Sequence, residues 1–592
     1  MVMSTVEREP RARPRLHLTA PHGWLNDPCG PGYDPITKRY HLFYQWNPHS
    51  CEWGNISWGH ATSTDLVTWV QASPEPALKP DADYDKDGVF TGCFYPTGLR
   101  GEKGQLSVIY SSVYRLPIHW TLPYCRASEG IAAAVSSDGG KNWVKWQGNP
   151  VLREEPEDVD VTGWRDPYVS RSEGLDRVLG GSSLYGVVSG GLRDKGPAVF
   201  LYSIPFDDLT NWRYIGNLVD LPRNFRQSPK WSGDFGVNLE CATFMNLRSA
   251  QGPGFEFLIT GSEGGIERDW VTEYLTGKPE THPRRTVRYC NWLSGMLRRQ
   301  PGGGGAVLDP KFSGLLDHGS LYAVNPLQDA SGRRIAWGWI PEEDVPIEYC
   351  KEKGWNGCLS LPRELFLQRI SHVTGALRSS MEDITSISAE QESDGTFVVH
   401  TIGIRPLPEV RRAPFGEPRT WNNISLPARN ESETIEGIRS GGGPTWKLEL
   451  VVDVMDHCEE AGVHIRHTAD MSTGTTITFR AMEELVVVTR EKSNANPMIN
   501  KCDERGPFTL FTLRSGGIAT REKLKMEVFC DGHVLEVFVC DRFALSTMVY
   551  TDDPGASGIS LFAKGRSGSA TFERVEVSDA SAAAVGPPNE EN

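Results

Sequence analysis

No window of the 592 residues approaches the roughly 18 uninterrupted apolar residues of a membrane-spanning helix, and mean hydropathy is −0.39, so an integral membrane protein is excluded and a soluble one expected. Positive charge is also short. Lys and Arg number 61 against 76 Asp and Glu, giving a net charge of −15 that repels phosphate backbones and anionic headgroups. Neither nucleic acid nor a membrane is expected as a partner. The twelve cysteines lie scattered, without C-x-x-C pairs or the density of a disulfide scaffold, and read as buried thiols. Fourteen histidines form no H-E-x-x-H or clustered spacing, and G-x-S-x-G, a P-loop and a dinucleotide fingerprint are all missing. No metal is implied. The opening MVMSTVEREPRARP has no apolar stretch of the secretory kind, which points to the cytoplasm; a different native start would make the protein secreted. The sequons Asn55-Ile56-Ser57, Asn423-Ile424-Ser425 and Asn430-Glu431-Ser432 would suit that second reading.

What the chain does have is a globular apolar content of 39 % and many short β-type runs closed by Gly, Pro, Asn or Asp. Tyr40–Tyr44, Leu106–Tyr110, Phe255–Ile259 and Arg334–Trp339 are examples, and sustained helical periodicity is rare. The fold class is all-β. A weak repeat places an Asp a few residues before a Trp in Asp65…Trp69, Asp138…Trp143 and Asp208…Trp212. The first two Asp are 73 residues apart and the last two 70. An Asp that closes a turn on backbone N–H groups above a packed Trp is a hairpin device, and its period suggests propeller blades; chance recurrence of such turns is the alternative. About five units of that period fit between residues 20 and 365.

The texture changes after Leu361-Pro362-Arg363-Glu364-Leu365. Residues 15–365 form the first expected domain, the Ser/Glu-rich stretch 366–395 a connector, and 396–579 a β-sandwich built from runs such as Trp446–Val452 and Val534–Val539. Residues 580–592 read as a loose tail.

Three acidic segments carry chemistry. In Gly23-Trp24-Leu25-Asn26-Asp27-Pro28-Cys29-Gly30 the residue before proline is pushed towards extended backbone, which aims the Asp27 carboxylate. Trp164-Arg165-Asp166-Pro167 repeats the Asp-Pro element, with Arg165 placed to hold Asp166 ionised. An Asp-Pro pair alone equally starts a β-turn. In Asn238-Leu239-Glu240-Cys241, Glu240 sits between apolar neighbours, where desolvation raises a carboxyl into general-acid range. Glu263 in Gly261-Ser262-Glu263-Gly264-Gly265 is the reserve acid. Two carboxyl groups flanking one bond are the machinery of glycoside hydrolysis.

Taken in order, Trp24–Gly30, Tyr40–Pro48, Trp58–Ser63, Phe90–Cys93, Trp164–Pro167 and Leu239–Cys241 resemble the signature set of glycoside hydrolase family 32. The C-terminal third resembles that family's sandwich around Val534–Phe538. The resemblance implies a five-bladed β-propeller followed by a β-sandwich, no cofactor, and a β-fructofuranoside in the funnel. It implies Asp27 as nucleophile, Glu240 as acid/base and Asp166 as the residue that stabilises the oxocarbenium-like transition state. Asn26, Gln45, Trp53, Phe90, Thr91 and Arg165 fall where that family touches the fructosyl unit; Trp53 as core and Gln45 as a turn cap are the plain alternatives. Retention of configuration then requires the Asp27 and Glu240 carboxyls about 5–5.5 Å apart.

Three motifs depart from the commonest pattern of the family: Cys29 replaces an Asn, Thr91-Gly92-Cys93 stands for S-G-S, and Ala242 replaces a Pro. Losing the amide at 29 removes hydrogen-bonding capacity beside Asp27. Cys29 and Thr91 are similar to the pattern of fungal sucrose-using fructosyltransferases, which implies transfer of fructose to sucrose or short fructooligosaccharides as well as to water. An exo-inulinase or levanase is the runner-up, and a silent carbohydrate-binding homologue a remote third. Leu316-Asp317-His318-Gly319 and Pro341-Glu342-Glu343-Asp344 are expected at the funnel rim, where an acceptor would compete with water.

Overall fold

The structure, a computed structural model, describes residues 13–580 apart from 250–253, 280–282, 303, 413–414, 429–432, 440–441 and 552. The sequon at Asn430 and residues 581–592 of the expected tail lie outside the described residues. Five antiparallel sheets follow one another along the first two thirds of the chain. Their innermost strands are Gly23–Asp34, Gly88–Tyr95, Val161–Arg171, Asn238–Leu247 and Tyr322–Gln328, and they pack side by side around a common axis. The ring closes where Gly23 and Trp24 pair in parallel with Trp355 and Asn356. Gly23 sits at φ +77°, and a Cβ there would meet the Asn47 carbonyl oxygen at 2.1 Å, so the closure needs glycine.

The Asp…Trp repeat falls each time between the third and fourth strands of a blade, after Ser57–Ser63, Glu129–Ser136 and Gly196–Ile204. Asp65 Oδ1 accepts from Val67 N and Thr68 N, Asp138 Oδ1 from Lys141 N and Asn142 N, and Asp208 Oδ1 from Thr210 N. Trp143 and Trp212 each donate their indole N–H to a carbonyl three residues back. The side chain closes the turn and the ring covers it, which fixes the blade's outer edge.

The connector differs from expectation. Arg363–Gly375 and Ser388–Gln391 are strands, and with Phe397–Pro406 they extend the fifth blade's sheet. Beyond it, two six-stranded sheets form the sandwich, one holding Thr445–Val454 and Leu524–Asp531, the other Glu460–His467 and Gly558–Lys564. Its inner faces make an aliphatic core of their own. Phe529, Phe538, Met548 and Tyr550 instead join the propeller's cluster with Trp337 and Leu359, so the domains share a packed seam. Among the described residues no helix is long and apolar enough to cross a membrane.

Candidate active site

Each of the five inner strands breaks register against its neighbour at the same level: between Leu25 and Pro28, Val89 and Gly92, Arg165 and Tyr168, Glu240 and Thr243, and Tyr322 and Asn325. A bulge turns a side chain that the pleat would send sideways. Asn26, Asp27, Phe90, Thr91, Asp166 and Cys241 lie inside these breaks, with Arg165 and Glu240 at their edges. Four of the six sequence motifs therefore fall on bulges of the ring.

Asp166, Cys241 and Ala323 adopt φ of +61°, +52° and +55°, a region costly for residues with a Cβ and typical of strained functional sites. Asp166 therefore departs from the extended backbone expected before proline. Its N–H, freed from the ladder, donates to Ser111 Oγ at 2.6 Å. Cys241 N donates to Asp166 Oδ2 at 2.9 Å and Ala242 N to Ser189 Oγ at 2.7 Å, so the left-handed turns are tied between blades 2, 3 and 4.

Asp27 is gripped through both oxygens. Thr91 Oγ1 donates to Oδ2 at 2.6 Å while accepting from Gln45 Nε2 at 2.7 Å, and Asn26 Nδ2 donates to Oδ1 at 3.2 Å. Asn26 is oriented in turn by Trp24 Nε1 at 3.1 Å and by its bond to Gln45 Oε1 at 2.8 Å. Gln45 is thus a member of this network and caps no turn. Cys29 is buried, its thiol 3.4 Å from the Asp27 carbonyl and 4.0 Å from Thr91 Oγ1. Such a weak donor leaves the Thr91 hydroxyl to serve the carboxylate.

Across the funnel, Arg165 binds Glu240 Oε1 through Nη2 at 2.7 Å and Nε at 3.1 Å, Glu129 Oε1 through Nη1 at 3.1 Å, and Glu263 Oε2 through Nη2 at 3.4 Å. This corrects the expectation that Arg165 holds Asp166: the guanidinium spends its hydrogen bonds on three glutamates. Tyr322 Oη donates to Glu240 Oε2 at 2.7 Å. The Cys241 thiol joins the two sides, 3.5 Å from Asp27 Oδ2 and 3.6 Å from Asp166 Oδ2. Trp53 stands half-exposed, its ring edge-on to Phe90 at 6.0 Å, at the solvent side and outside the core.

Burial pushes Asp27 up to about 6, with the Glu240 charge adding to it and the Thr91 hydrogen bond opposing. Burial also raises Asp166 strongly, and lifts Glu263 to about 7 with help from Glu240. Glu240 moves the other way. Burial alone would raise it, but the charge and hydrogen bonds of Arg165, followed by the Tyr322 hydroxyl, outweigh desolvation and hold it below the ordinary carboxyl value. The expected rise at Glu240 is thus found on its neighbour Glu263. Burial thus favours the protonated form at Glu263, Asp166 and Asp27, while Glu240, the proposed proton donor, is pushed towards its ionised form.

Glu129, Tyr322 and Arg288 escaped the sequence reading because each lies in an ordinary strand without a motif; only the three-dimensional ring brings them in. The rim expectation is corrected in part. Asp317 Oδ2 accepts from Arg363 Nη1 at 2.7 Å and from Ser546 Oγ at 2.8 Å, and His318 stacks on Phe543 at 4.5 Å, so both lie in the seam with the sandwich. Glu342 and Asp344 are likewise buried in ion pairs with Lys353 and Arg490, and only Glu343 faces the funnel, through Arg288. Among the described residues no group of His, Cys, Asp or Glu has the arrangement of a metal site.

Residues 17–376 match the family model described as the N-terminal domain of glycosyl hydrolases family 32, and residues 417–579 match that of the C-terminal domain. The chain superposes on a fructosyltransferase from A. japonicus with a TM-score of 0.83 at 25 % identity, over 96 % of this chain and 95 % of that one. It matches a β-fructofuranosidase from Aspergillus kawachii, complexed with glycerol, equally well at 0.83 and 28 % identity, over 96 % and 94 %. A fructan 1-exohydrolase from Triticum urartu is 26 % identical over 466 residues, and this chain spans 65 % of that relative's length while 76 % of it takes part. The two family models, matched in order over residues 17–376 and 417–579, place the chain in glycoside hydrolase family 32.

Proposed function

We propose that the protein is a retaining β-fructofuranosidase that uses sucrose and hands much of the fructose to a second sugar, making short fructooligosaccharides. The observation that carries this reading is the pair of opposed carboxyls: Asp27 held by Thr91 and Asn26, Glu240 held by Arg165 and Tyr322, with the Cys241 thiol touching Asp27 from the Glu240 strand.

In the proposed reaction an Asp27 oxygen attacks the anomeric C2 of the fructosyl unit while the C2–oxygen bond to glucose breaks. Glu240 gives its proton to the departing oxygen, and glucose leaves. Asp166, across the Cys241 turn, faces the sugar hydroxyls and the positive charge that grows on the ring. Glu240, now ionised, takes a proton from water or from a sugar hydroxyl. That oxygen attacks C2, the ester to Asp27 breaks, and configuration is retained. Arg165 and Tyr322 favour the ionised Glu240 needed for this second half. The proton needed for the first half is shared across the cluster, whose titration belongs to the group as a whole.

The preference for transfer is supported by Cys29 and Thr91 beside the nucleophile and by likeness to a structure named fructosyltransferase. A second reading, exo-hydrolysis of fructans, is favoured by the sequence relatives named fructan 1-exohydrolase. A time course on concentrated sucrose, set beside one on inulin, separates them. Free glucose well above free fructose supports transfer. Equal amounts from sucrose, with faster release of fructose from inulin, would establish the second reading.

A further inference from the structure

Arg288 opens the third strand of blade 4 directly opposite Glu263 in the antiparallel register, where facing Cβ atoms lie about 4.5–5.5 Å apart. Its guanidinium carbon stands 5.5 Å from the centre of the Tyr322 ring and 4.7 Å from that of Trp339. Tyr322 donates to Glu240, while Trp339 meets Trp24 edge-on at 5.4 Å, and Trp24 orients Asn26 beside Asp27. One cation therefore rests on the supports of both proposed catalytic carboxyls.

Glu343 is the ion-pair partner of Arg288 and also accepts from Thr286 N at 3.2 Å. Its neighbours along the chain are fastened to the sandwich. Glu342 pairs with Lys353 and accepts from Tyr550 Oη at 3.4 Å. Asp344 pairs with Arg490 at 2.7 Å and Arg285 at 3.1 Å, and its carbonyl accepts from Asn500 N at 2.8 Å. Arg490, Asn500 and Tyr550 belong to the sandwich, and Arg490 is fully buried.

We infer that Arg288 and Glu343 are a positioning pair for the reaction: anchored on the sandwich, Glu343 sets how much of the Arg288 charge reaches Asp27, Glu240 and Glu263, and so the pH range in which the funnel works. Arg288 faces Glu263 on the neighbouring strand, Glu240 on the inner strand of blade 4, Asp27 on that of blade 1 and Tyr322 on that of blade 5. Glu343 and Asp344 approach from the loop after Ile340, and Arg285 from its own segment; Arg165 and His119 reach Glu263 from blades 3 and 2. Arg165 is already committed to Glu129, Glu240 and Glu263. The charge of Arg288 lowers Asp27, Glu240 and Glu263 alike, which is the direction the inference needs.

The inference rests on the carboxylate mechanism proposed above, and its test is a pair of opposed shifts. Arg288→Gln removes the cation, the carboxyls bind protons more tightly, and both limbs of the kcat/KM pH profile move up by about one pH unit. Glu343→Gln removes the counter-charge, leaves the guanidinium uncompensated, and moves the limbs down. Arg288→Lys keeps the charge but gives up the flat stack on Tyr322 and Trp339, so kcat falls while the limbs stay near wild type. Profiles are read on whichever β-fructofuranoside the wild type turns over, with unfolding midpoints measured in parallel. Wild-type glucose release from sucrose judges the proposed function; the direction of the shifts judges this inference. Shifts of the same sign in Arg288→Gln and Glu343→Gln, or loss of kcat without any shift, would overturn it.

Discussion

The protein buries two clusters of carboxylates, and they are built on opposite terms. In the seam between the domains, His17 lies 2.9 Å from Asp531 and 3.0 Å from Glu536, Arg363 bridges Asp317 and Glu536 at 2.7 and 2.8 Å, and Arg490 bridges Asp344 and Glu504 at 2.7 and 3.2 Å. In the funnel, Glu129, Glu240 and Glu263 share Arg165, Asp27 and Asp166 have no ion pair among the described residues, and the next cation, Arg288, is bound to Glu343. In the seam each of these acids has at least one paired base, and each base bridges two acids. The funnel lacks such matching. Burial opposes ionisation of Asp531 and Glu536, yet hydrogen bonds and charge from His17 and Arg363 hold both below the usual range. In the funnel burial wins at Asp27, Asp166 and Glu263. Glu504 is the seam's exception, raised by burial despite two arginines. Equal burial with unequal charge supply separates a place for holding domains together from a place where protons can move.

The largest effect should come from breaking the funnel. Asp27→Asn or Glu240→Gln is expected to lower kcat on sucrose by about 10³- to 10⁴-fold with unchanged circular dichroism; the unfolding midpoint should hold or rise in Asp27→Asn, which removes a charge that burial disfavours, and fall in Glu240→Gln, which weakens the bonds of Arg165 and Tyr322. Near-normal turnover would show that other carboxyls do the work. Breaking the seam should do the reverse. Arg363→Met strands Asp317 and Glu536 in a dry interior and should cost about 3–5 kcal/mol in denaturant unfolding, with kcat per folded molecule little changed.

Proton linkage sharpens the contrast at smaller scale. His17 is raised from 6.5 to about 9: burial opposes the charge, and the hydrogen bonds it donates to Asp531 and Glu536 more than offset that. A group raised on folding contributes its full stability below its unfolded value, so the seam should hold fully below about pH 6.5 and weaken as pH rises through about 9. His17→Gln should flatten that alkaline loss of about 3 kcal/mol; the same slope in the variant would assign it elsewhere. The funnel's response is one of activity. Asp27 must be ionised and the cluster must keep a proton, so kcat/KM should follow a narrow bell with limbs near the values of Asp27 and Glu263, about 6 and about 7. A plateau from pH 4 to 9 would contradict that proton count.

Much of this was readable from residues alone. Asp65, Asp138 and Asp208 announce blade edges because a turn closed by its own side chain is a local event. Asp27, Asp166 and Glu240 stand out because bulged strand positions demand particular neighbours, Pro after each Asp and a small thiol after the Glu. The partners of Arg165, the left-handed backbone of Asp166 and the contribution of Tyr322 were hidden, since each depends on blades separated by tens of residues. Asp317 and His318 look like loop residues with free polar groups, and only docking of Phe543 and Ser546 onto them reveals a buried joint. The strands of 366–395 went unseen because their exposed Ser and Glu positions mask a sheet edge completed by Phe397–Pro406.

The account stands on Asp27 forming a bond to the fructosyl unit while Glu240 manages the proton. Glu240→Gln, incubated with a β-fructofuranoside whose leaving group needs no proton, should accumulate the covalent intermediate, and peptide mass spectrometry should find one fructosyl unit on the segment containing Asp27. Rapid release of the leaving group with the sugar attached to another residue, or with no attachment at all, would contradict it.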